Sequence, residues 1–167
     1  APGVESKKVV AYLPEKNYLP PWMTPKSAIN YIADFYKNFD KEKALAMAAT
    51  FELNMKQKLK TMSKGQQEKL HLILVMCRKA DLYVLDEPLG GVDVVARDFI
   101  LETILRNHAE NSTILLSTHL IYDIERILDR VLMVKGGTLA VNTKVENIRE
   151  NGNTVENLFR EVFSNVW

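Results

Sequence analysis

The spacing of apolar side chains divides this chain into three stretches. Residues 7–13 predict a strand, and a loop with three prolines follows at positions 14–21. From residue 24 to residue 77 the apolar positions recur every three or four residues, which predicts consecutive helices. Beyond residue 81 short apolar runs alternate with helical stretches, and that alternation predicts a parallel sheet.

Three polar residues mark the starts of the predicted helices. Thr24 precedes Pro25, and proline is favoured at the first position of a helix. Asp40 and Ser63 stand in the same place before a second and a third amphipathic stretch. The inward face of the third helix is predicted to contain Leu70, Ile73, Leu74 and Cys77.

The later elements follow from the same patterns. They are predicted as strands at 82–85, 113–117 and 130–134, helices at 94–108 and 120–128, a Gly136-Gly137 turn into an antiparallel strand at 138–141, and a helix from residue 154. The apolar tail of this last helix, with Phe163 and Trp167, either packs internally or contacts a partner.

The candidate chemistry lies where the strand at 82–85 ends. Asp86 and Glu87 follow this buried run, and Pro88 then stops regular pairing. Ligands bind at the carboxyl edge of such sheets, where one carboxylate can hold Mg²⁺ through water and the next can position the water that attacks a phosphate. The structural alternative is a buried strand that ends in an acidic turn.

Four further segments stand in a fixed order around this pair. They are Val10-Ala11-Tyr12-Leu13-Pro14-Glu15, Met62-Ser63-Lys64-Gly65-Gln66-Gln67, Gly90-Gly91-Val92-Asp93 and Ile114-Leu115-Leu116-Ser117-Thr118-His119. Together with 82–87 they resemble the Q-loop, signature loop, D-loop, switch histidine and Walker B strand of the ATP-binding-cassette (ABC) ATPases. The resemblance runs from about Lys7 to Phe163.

The resemblance implies an α/β fold of the P-loop nucleoside-triphosphatase type, with a mostly parallel sheet and an inserted helical subdomain. It implies segments at 1–15 for the first core strand and Q-loop, 16–80 for the helical subdomain, 81–143 for the nucleotide-binding core and 144–167 for a helical tail. ATP and Mg²⁺ are the implied cofactors.

The resemblance also assigns roles to single residues. Asp86 would hold Mg²⁺ through water, Glu87 would be the general base, and His119 would sense the γ-phosphate. The loop of Ser63, Lys64, Gly65 and Gln66 would contact ATP held by a partner subunit, since a helix N-terminus attracts anions. Lys64 replaces a glycine that is usual there.

Three assignments keep alternatives open. Glu15 replaces the glutamine of the Q-loop and could reach Mg²⁺ or the attacking water. Asp93 could join the two subunits' sites, cap the helix that follows, or do both. The loop at 18–23 could meet the membrane subunit, or Trp22 and Met23 could cover the helical core.

One family motif is absent from the sequence. None of the seven glycines is followed by lysine, so the phosphate-binding G-x-x-x-x-G-K-[ST] does not occur. We therefore interpret the chain as a fragment of a longer ATPase that lacks the Walker A part, and expect it to bind ATP poorly and to be inactive alone. In the family the Walker A part includes a strand inside the sheet, so the resemblance implies a slot between the strands at 113–117 and 130–134.

Composition narrows the function further. The net charge of +1 does not indicate a nucleic-acid partner, and no apolar run is long enough to span a membrane. Cys77 is the only cysteine, which suits a reducing cytoplasm. The resemblance implies the ATP-hydrolysing subunit of an export-type bacterial transporter, at the inner face of the membrane, with a second ATPase subunit and a membrane permease. The alternatives are a soluble non-transport ABC ATPase and a non-catalytic dimerisation module.

Overall fold

The computed structural model describes residues 3–164, without the side chains at positions 95 and 96. The chain divides into two compact units, with the boundary between Thr118 and His119. This boundary lies inside the segment 81–143 that the sequence assigns to one core, and the four predicted segments remain predictions.

The first unit contains a three-stranded sheet and most of the helices. In chain order its elements are α1 (Val4–Val9), β1 (Val10–Leu13), α2 (Pro25–Phe35), α3 (Lys41–Thr50), a 3-10 turn (Leu59–Thr61), α4 (Lys64–Met76), β2 (Leu82–Asp86), α5 (Val94–Asn107) and β3 (Thr113–Ser117).

The sheet has the order β1-β2-β3, and both pairs are parallel. Leu13 lies opposite Leu85, and Asp86 lies opposite Ser117. The carboxyl ends of all three strands therefore lie along one edge, as the alternation of strands and helices predicts. The α/β fold with a parallel sheet is confirmed.

The helices between β1 and β2 form their own core. The predicted caps are confirmed: Thr24 and Ser63 each form a capping box, and the Asp40 side chain accepts from the Lys43 N–H at 2.9 Å. The predicted inward face of α4 is confirmed as well. Its members Leu70, Ile73, Leu74 and Cys77 are buried in this core.

The Cys77 side chain is an ordinary packed thiol, as its apolar neighbours in the sequence predict. It lies 3.4 Å from the Met47 sulfur, and burial raises the pKa of this thiol to about 12.

A buried arginine connects this helical core to β1. The Arg78 guanidinium donates to the carbonyls of Lys7 at 2.6 Å and Val10 at 2.8 Å, and lies 3.8 Å from the centre of the Tyr36 ring. Burial lowers the pKa of Arg78, but its hydrogen bonds to carbonyl oxygens and the ring face compensate for lost water.

The second unit is smaller and has a sheet of its own. It contains α6 (Ile121–Ile124), a 3-10 turn (Glu125–Ile127), β4 (Arg130–Lys135), β5 (Thr138–Lys144), α7 (Val145–Glu150) and α8 (Val155–Phe163). β4 and β5 are antiparallel, and the predicted Gly136-Gly137 turn joins them with positive φ at both glycines. Phe163 packs against the core of this unit, whereas Trp167 lies outside the described residues.

Three sequence predictions are wrong in extent. The strand predicted at 138–141 continues to Lys144, because its ladder with β4 extends to the Arg130–Lys144 pair. Residues 7–9 end a short helix instead of starting β1, because the ladder to β2 begins only at Val10 and α1 buries no residue. The helix predicted at 120–128 is one α-turn followed by a 3-10 turn. The nine residues 120–128 allow little more than two turns, and the second of these is the tighter 3-10 turn that comes before β4.

One face of the three-stranded sheet is open. Tyr12, Val84 and Leu115 lie side by side across it, and Tyr12 and Leu115 are 51% and 47% exposed. Among the described residues β3 pairs only with β2, and β4 pairs only with β5. A parallel sheet with an open apolar face and an unpaired edge favours association.

We therefore expect the isolated 167-residue chain to self-associate in light scattering. Leu115→Lys should reduce the association, because it places a charge in the middle of the open face. Leu105→Lys, at an exposed leucine on α5, is the matched control and should not. A monodisperse wild-type monomer would contradict this expectation.

Candidate functional site

The two carboxylates stand at the carboxyl edge of the sheet. Asp86 is the last residue of β2, and its carboxylate accepts a hydrogen bond from the Ser117 hydroxyl at 2.5 Å. The Glu87 N–H donates to the Ser117 carbonyl at 3.0 Å. The ladder between β2 and β3 therefore continues just far enough to hold both acidic residues in place, and Ser117 is a member of the site that the sequence did not single out.

A tight turn follows the carboxylates. Glu87 has a φ of 47°, and its carbonyl accepts from the Gly90 N–H at 2.9 Å. The Leu89 side chain in this turn is fully buried. Gly91 has a φ of 73°, a conformation that favours glycine. The turn leads to Asp93, whose carbonyl accepts from the Arg97 N–H at 3.1 Å as α5 begins.

The start of α4 lies against this turn. Ser63 Oγ accepts from the Gln66 N–H at 3.2 Å, while Gln66 Oε1 accepts from the Ser63 N–H at 3.0 Å. The Lys64 ammonium contacts Gly91, so that a Cβ at Gly91 would lie 2.9 Å from Lys64 Cε. The structure thus brings Lys64, in the first turn of α4, next to the turn that carries Gly90 and Gly91.

Lys64 also pairs with a half-buried carboxylate on its own helix. Its ammonium lies 3.7 Å from Glu68 Oε1. Burial raises the pKa of Glu68, and the Lys64 charge opposes that rise. The lysine that replaces the usual glycine therefore has local partners of its own.

Glu15 lies on the same edge, in the loop after β1. It is exposed, two residues beyond the end of the strand. The loop continues onto α4: Asn17 donates to Gln67 at 2.8 Å, and the Tyr18 ring stacks on His71 at 5.5 Å between centroids. Gln67 and Tyr18 lie in segments that the sequence singled out, but Asn17 and His71 were missed, and only the preference of asparagine for turns marks Asn17.

The loop at 18–23 has two interpretations: contact with a membrane subunit, or Trp22 and Met23 covering the helical core. Met23 is buried in the helical core, whereas Trp22 is 65% exposed. Burial confirms the core reading for Met23, and that reading is wrong for Trp22.

His119 is exposed and follows Ser117 by two residues, at the start of the second unit. The structure therefore gathers Glu15, Asp86, Glu87 and the 63–66 segment within the first unit. His119 belongs to the other unit.

The donor atoms at the edge suit a hard cation. The Asp86 carboxylate and the Ser117 hydroxyl offer oxygen atoms, and Mg²⁺ is bound through one or two carboxylates with waters and phosphate oxygens. Within residues 3–164 no three His, Cys, Asp or Glu side chains form a metal cluster.

Comparison with known protein families assigns this chain to a family. A family model described as ABC transporter matches residues 3–90. The chain belongs to the ABC transporter family. The match includes the segments of Glu15, Ser63 to Gln66, and Asp86-Glu87.

Curated ABC relatives are longer than this chain. It is 41% identical over 91 residues to an uncharacterized ABC transporter ATP-binding protein of Methanocaldococcus jannaschii, a match that covers 54% of this chain and 35% of that protein. It is 28% identical over 155 residues to the ABC transporter ATP-binding protein YtrB of Bacillus subtilis, covering 89% of this chain and 53% of YtrB. The chain thus spans about half or less of these two relatives.

A solved structure supports the ABC fold. The structure of an ATP binding subunit of an ABC transporter aligns with a TM-score of 0.84 and 24% identity, over 94% of this chain and 69% of that one. None of the helices within residues 3–164 combines the length and apolar character that crossing a membrane requires.

The buried His71 of this ABC chain gives a pH prediction. Its ring is 8% exposed, and burial lowers its pKa from 6.5 to about 4. Between these values the unfolded chain binds more protons than the folded chain, so folding stability falls as the pH drops from 6.5 to 4. The full shift corresponds to about 3 kcal/mol.

We expect His71→Phe to flatten this part of the pH profile, because phenylalanine keeps the stack on Tyr18 without titrating. Urea unfolding of both proteins between pH 4 and 7 measures the difference. Parallel profiles would show that His71 does not titrate in this range.

Proposed function

We propose that this chain supplies the ATP-hydrolysing part of an ABC transporter and energises transport through a separate membrane subunit. Family membership supports ATP hydrolysis as the general reaction. The observation that carries the proposal is the sheet edge where β2 ends at Asp86, beside Ser117, and Glu87 follows. Paired carboxylates at such an edge suit magnesium-dependent phosphoryl transfer.

Each acidic residue has its own role in this proposal. Asp86 holds Mg²⁺ through water, and the Ser117 hydroxyl orients its carboxylate. Glu87 accepts a proton from the water that attacks the γ-phosphate. Mg²⁺, when bound, neutralises charge on the phosphate oxygens. His119 senses the γ-phosphate, and Glu15 reaches the metal or the attacking water.

The segment of Ser63, Lys64, Gly65 and Gln66 binds ATP held by a second ATPase subunit. This assignment is supported by its place at the start of the 13-residue helix α4, whose N-terminal N–H groups attract phosphate. Lys64 adds a positive charge there. Asp93 connects the sites of the two subunits, which we propose to close head to tail when ATP binds.

The phosphate-binding loop is supplied from outside these 167 residues, since the sequence contains no G-x-x-x-x-G-K-[ST]. The lengths of the relatives, of which the chain spans 35% and 53%, support this. The exposed Trp22, in the loop that follows Glu15, suits contact with a membrane subunit at the cytoplasmic face.

Glu87→Gln tests the role of the base in the complete protein. We expect ATP turnover to fall by about 100-fold or more, because glutamine keeps the shape but accepts no proton. ATP binding should persist, as measured by titration calorimetry. Glu110→Gln, at an exposed position between α5 and β3, is the control and should turn over normally. Normal turnover in Glu87→Gln would exclude it as the base.

Ser63→Arg tests the contact with the partner's nucleotide. In a Glu87→Gln background we expect ATP to cause dimerisation in size-exclusion chromatography, and Ser63→Arg to prevent it by obstructing closure. The control is Ser63→Ala. It removes the same N-cap hydrogen bond, at a cost of about 1 kcal/mol in stability, but adds no bulk. If Ser63→Arg still dimerises with ATP, Ser63 is a helix cap only.

A further inference from the structure

The loop after β1 is fixed to α4 by side chains at two consecutive positions. Asn17 Nδ2 donates to Gln67 Oε1 at 2.8 Å, and the next residue, Tyr18, stacks on His71 with 26° between the rings. Gln67 and His71 are four residues apart, so they lie on one face of α4. The loop therefore runs along the first two turns of this helix.

The Gln67 side chain is held in one orientation. Its Nε2 donates to the carbonyls of Leu59 and Met62, each at 3.1 Å. Both of its amide hydrogens are thereby used, and Oε1 is left to accept from Asn17. Asn17 is equally fixed, since its Oδ1 accepts from the Leu19 N–H at 2.8 Å and Leu19 is buried in the helical core.

Each end of this link lies close to a candidate nucleotide contact. Asn17 follows Glu15 by two residues, and the Gln67 N–H donates to the Ser63 carbonyl at 3.0 Å in the first turn of α4. The residues from Glu15 to Tyr18 lie outside regular helix and strand. Their side-chain contacts with α4 therefore determine where this part of the loop lies relative to Ser63.

We propose that Asn17 is a positioning residue that, by donating to Gln67, sets the loop carrying Glu15 against the segment that begins at Ser63. The inference rests on the proposed ATPase function and adds to it the connection between the two loops.

Asn17→Asp replaces the amide that the proposal uses by a second carboxylate oxygen and adds one negative charge, which the control Asn151→Asp adds as well. Aspartate keeps the oxygen that accepts from Leu19, so the turn is retained, and loses the amide that donates to Gln67. In the complete protein we expect kcat to fall about fivefold, the equivalent of one hydrogen bond, with KM for ATP little changed. Asn151→Asp, which removes an exposed amide donor 2.9 Å from the Asn147 carbonyl, is the matched control.

A double-mutant cycle separates positioning from general damage. Gln67→Met removes the acceptor, and if the link acts as a unit, Asn17→Asp should cost no further activity in that background. The proposal would be overturned if the activity loss of the double variant equalled the product of the two single losses. It would also be overturned if Asn17→Asp left kcat unchanged or changed KM alone.

Amide hydrogen exchange of residues 63–67 gives a readout that does not depend on ATPase activity. We expect faster exchange in Asn17→Asp than in wild type, and unchanged exchange would overturn the link itself. A wild-type protein without ATP turnover would overturn the proposed function instead, and the exchange result would still decide whether Asn17 holds the start of α4.

Discussion

The parallel register of β1, β2 and β3 is the constraint on which the first unit depends. Because the three strands run in the same direction, their carboxyl ends meet at one edge, and the residues that follow each strand must share it. Asp86 closes the ladder opposite Ser117, and Glu87 leaves the sheet at positive φ. A shift of one residue in the β2–β3 register would turn the Asp86 side chain to the opposite face of the sheet and separate it from the Ser117 hydroxyl.

A buried cluster of hydrogen-bonded polar groups at the opposite end of the sheet supports that register. The Tyr83 hydroxyl donates to the Arg78 carbonyl at 2.5 Å and accepts from the Ala109 N–H at 3.2 Å, while the Arg78 side chain holds the carbonyls of Lys7 and Val10. One cluster thus joins the end of α4, β1, β2 and the loop before β3. Removing one member would leave buried polar groups without partners, which is more costly than losing a surface contact.

The sequence predicts best where structure is local. The starts of α2, α3 and α4 depend on single capping residues, and Thr24, Asp40 and Ser63 behave as expected. The start of β1 was misplaced, because where a strand begins depends on the residues opposite it in the ladder. The carboxylates could be placed at the sheet edge because the apolar run at 82–85 comes directly before Asp86 and Glu87. The link from Asn17 to Gln67 could not, since it joins side chains 50 residues apart whose geometry only the folded chain defines.

The candidate nucleotide contacts already have partners within the protein. Ser63 Oγ is used by the Gln66 N–H, Asp86 by the Ser117 hydroxyl, and the Lys64 ammonium by Glu68. A bound phosphate or metal would therefore replace these interactions instead of adding to them. The net free energy gained from each new contact would be near that of an ordinary hydrogen bond. Such internal partners hold each side chain in a defined rotamer before a ligand arrives, which lowers the entropy lost on binding. The same interactions that stabilise the fold would thus prepare this edge for the proposed ligand.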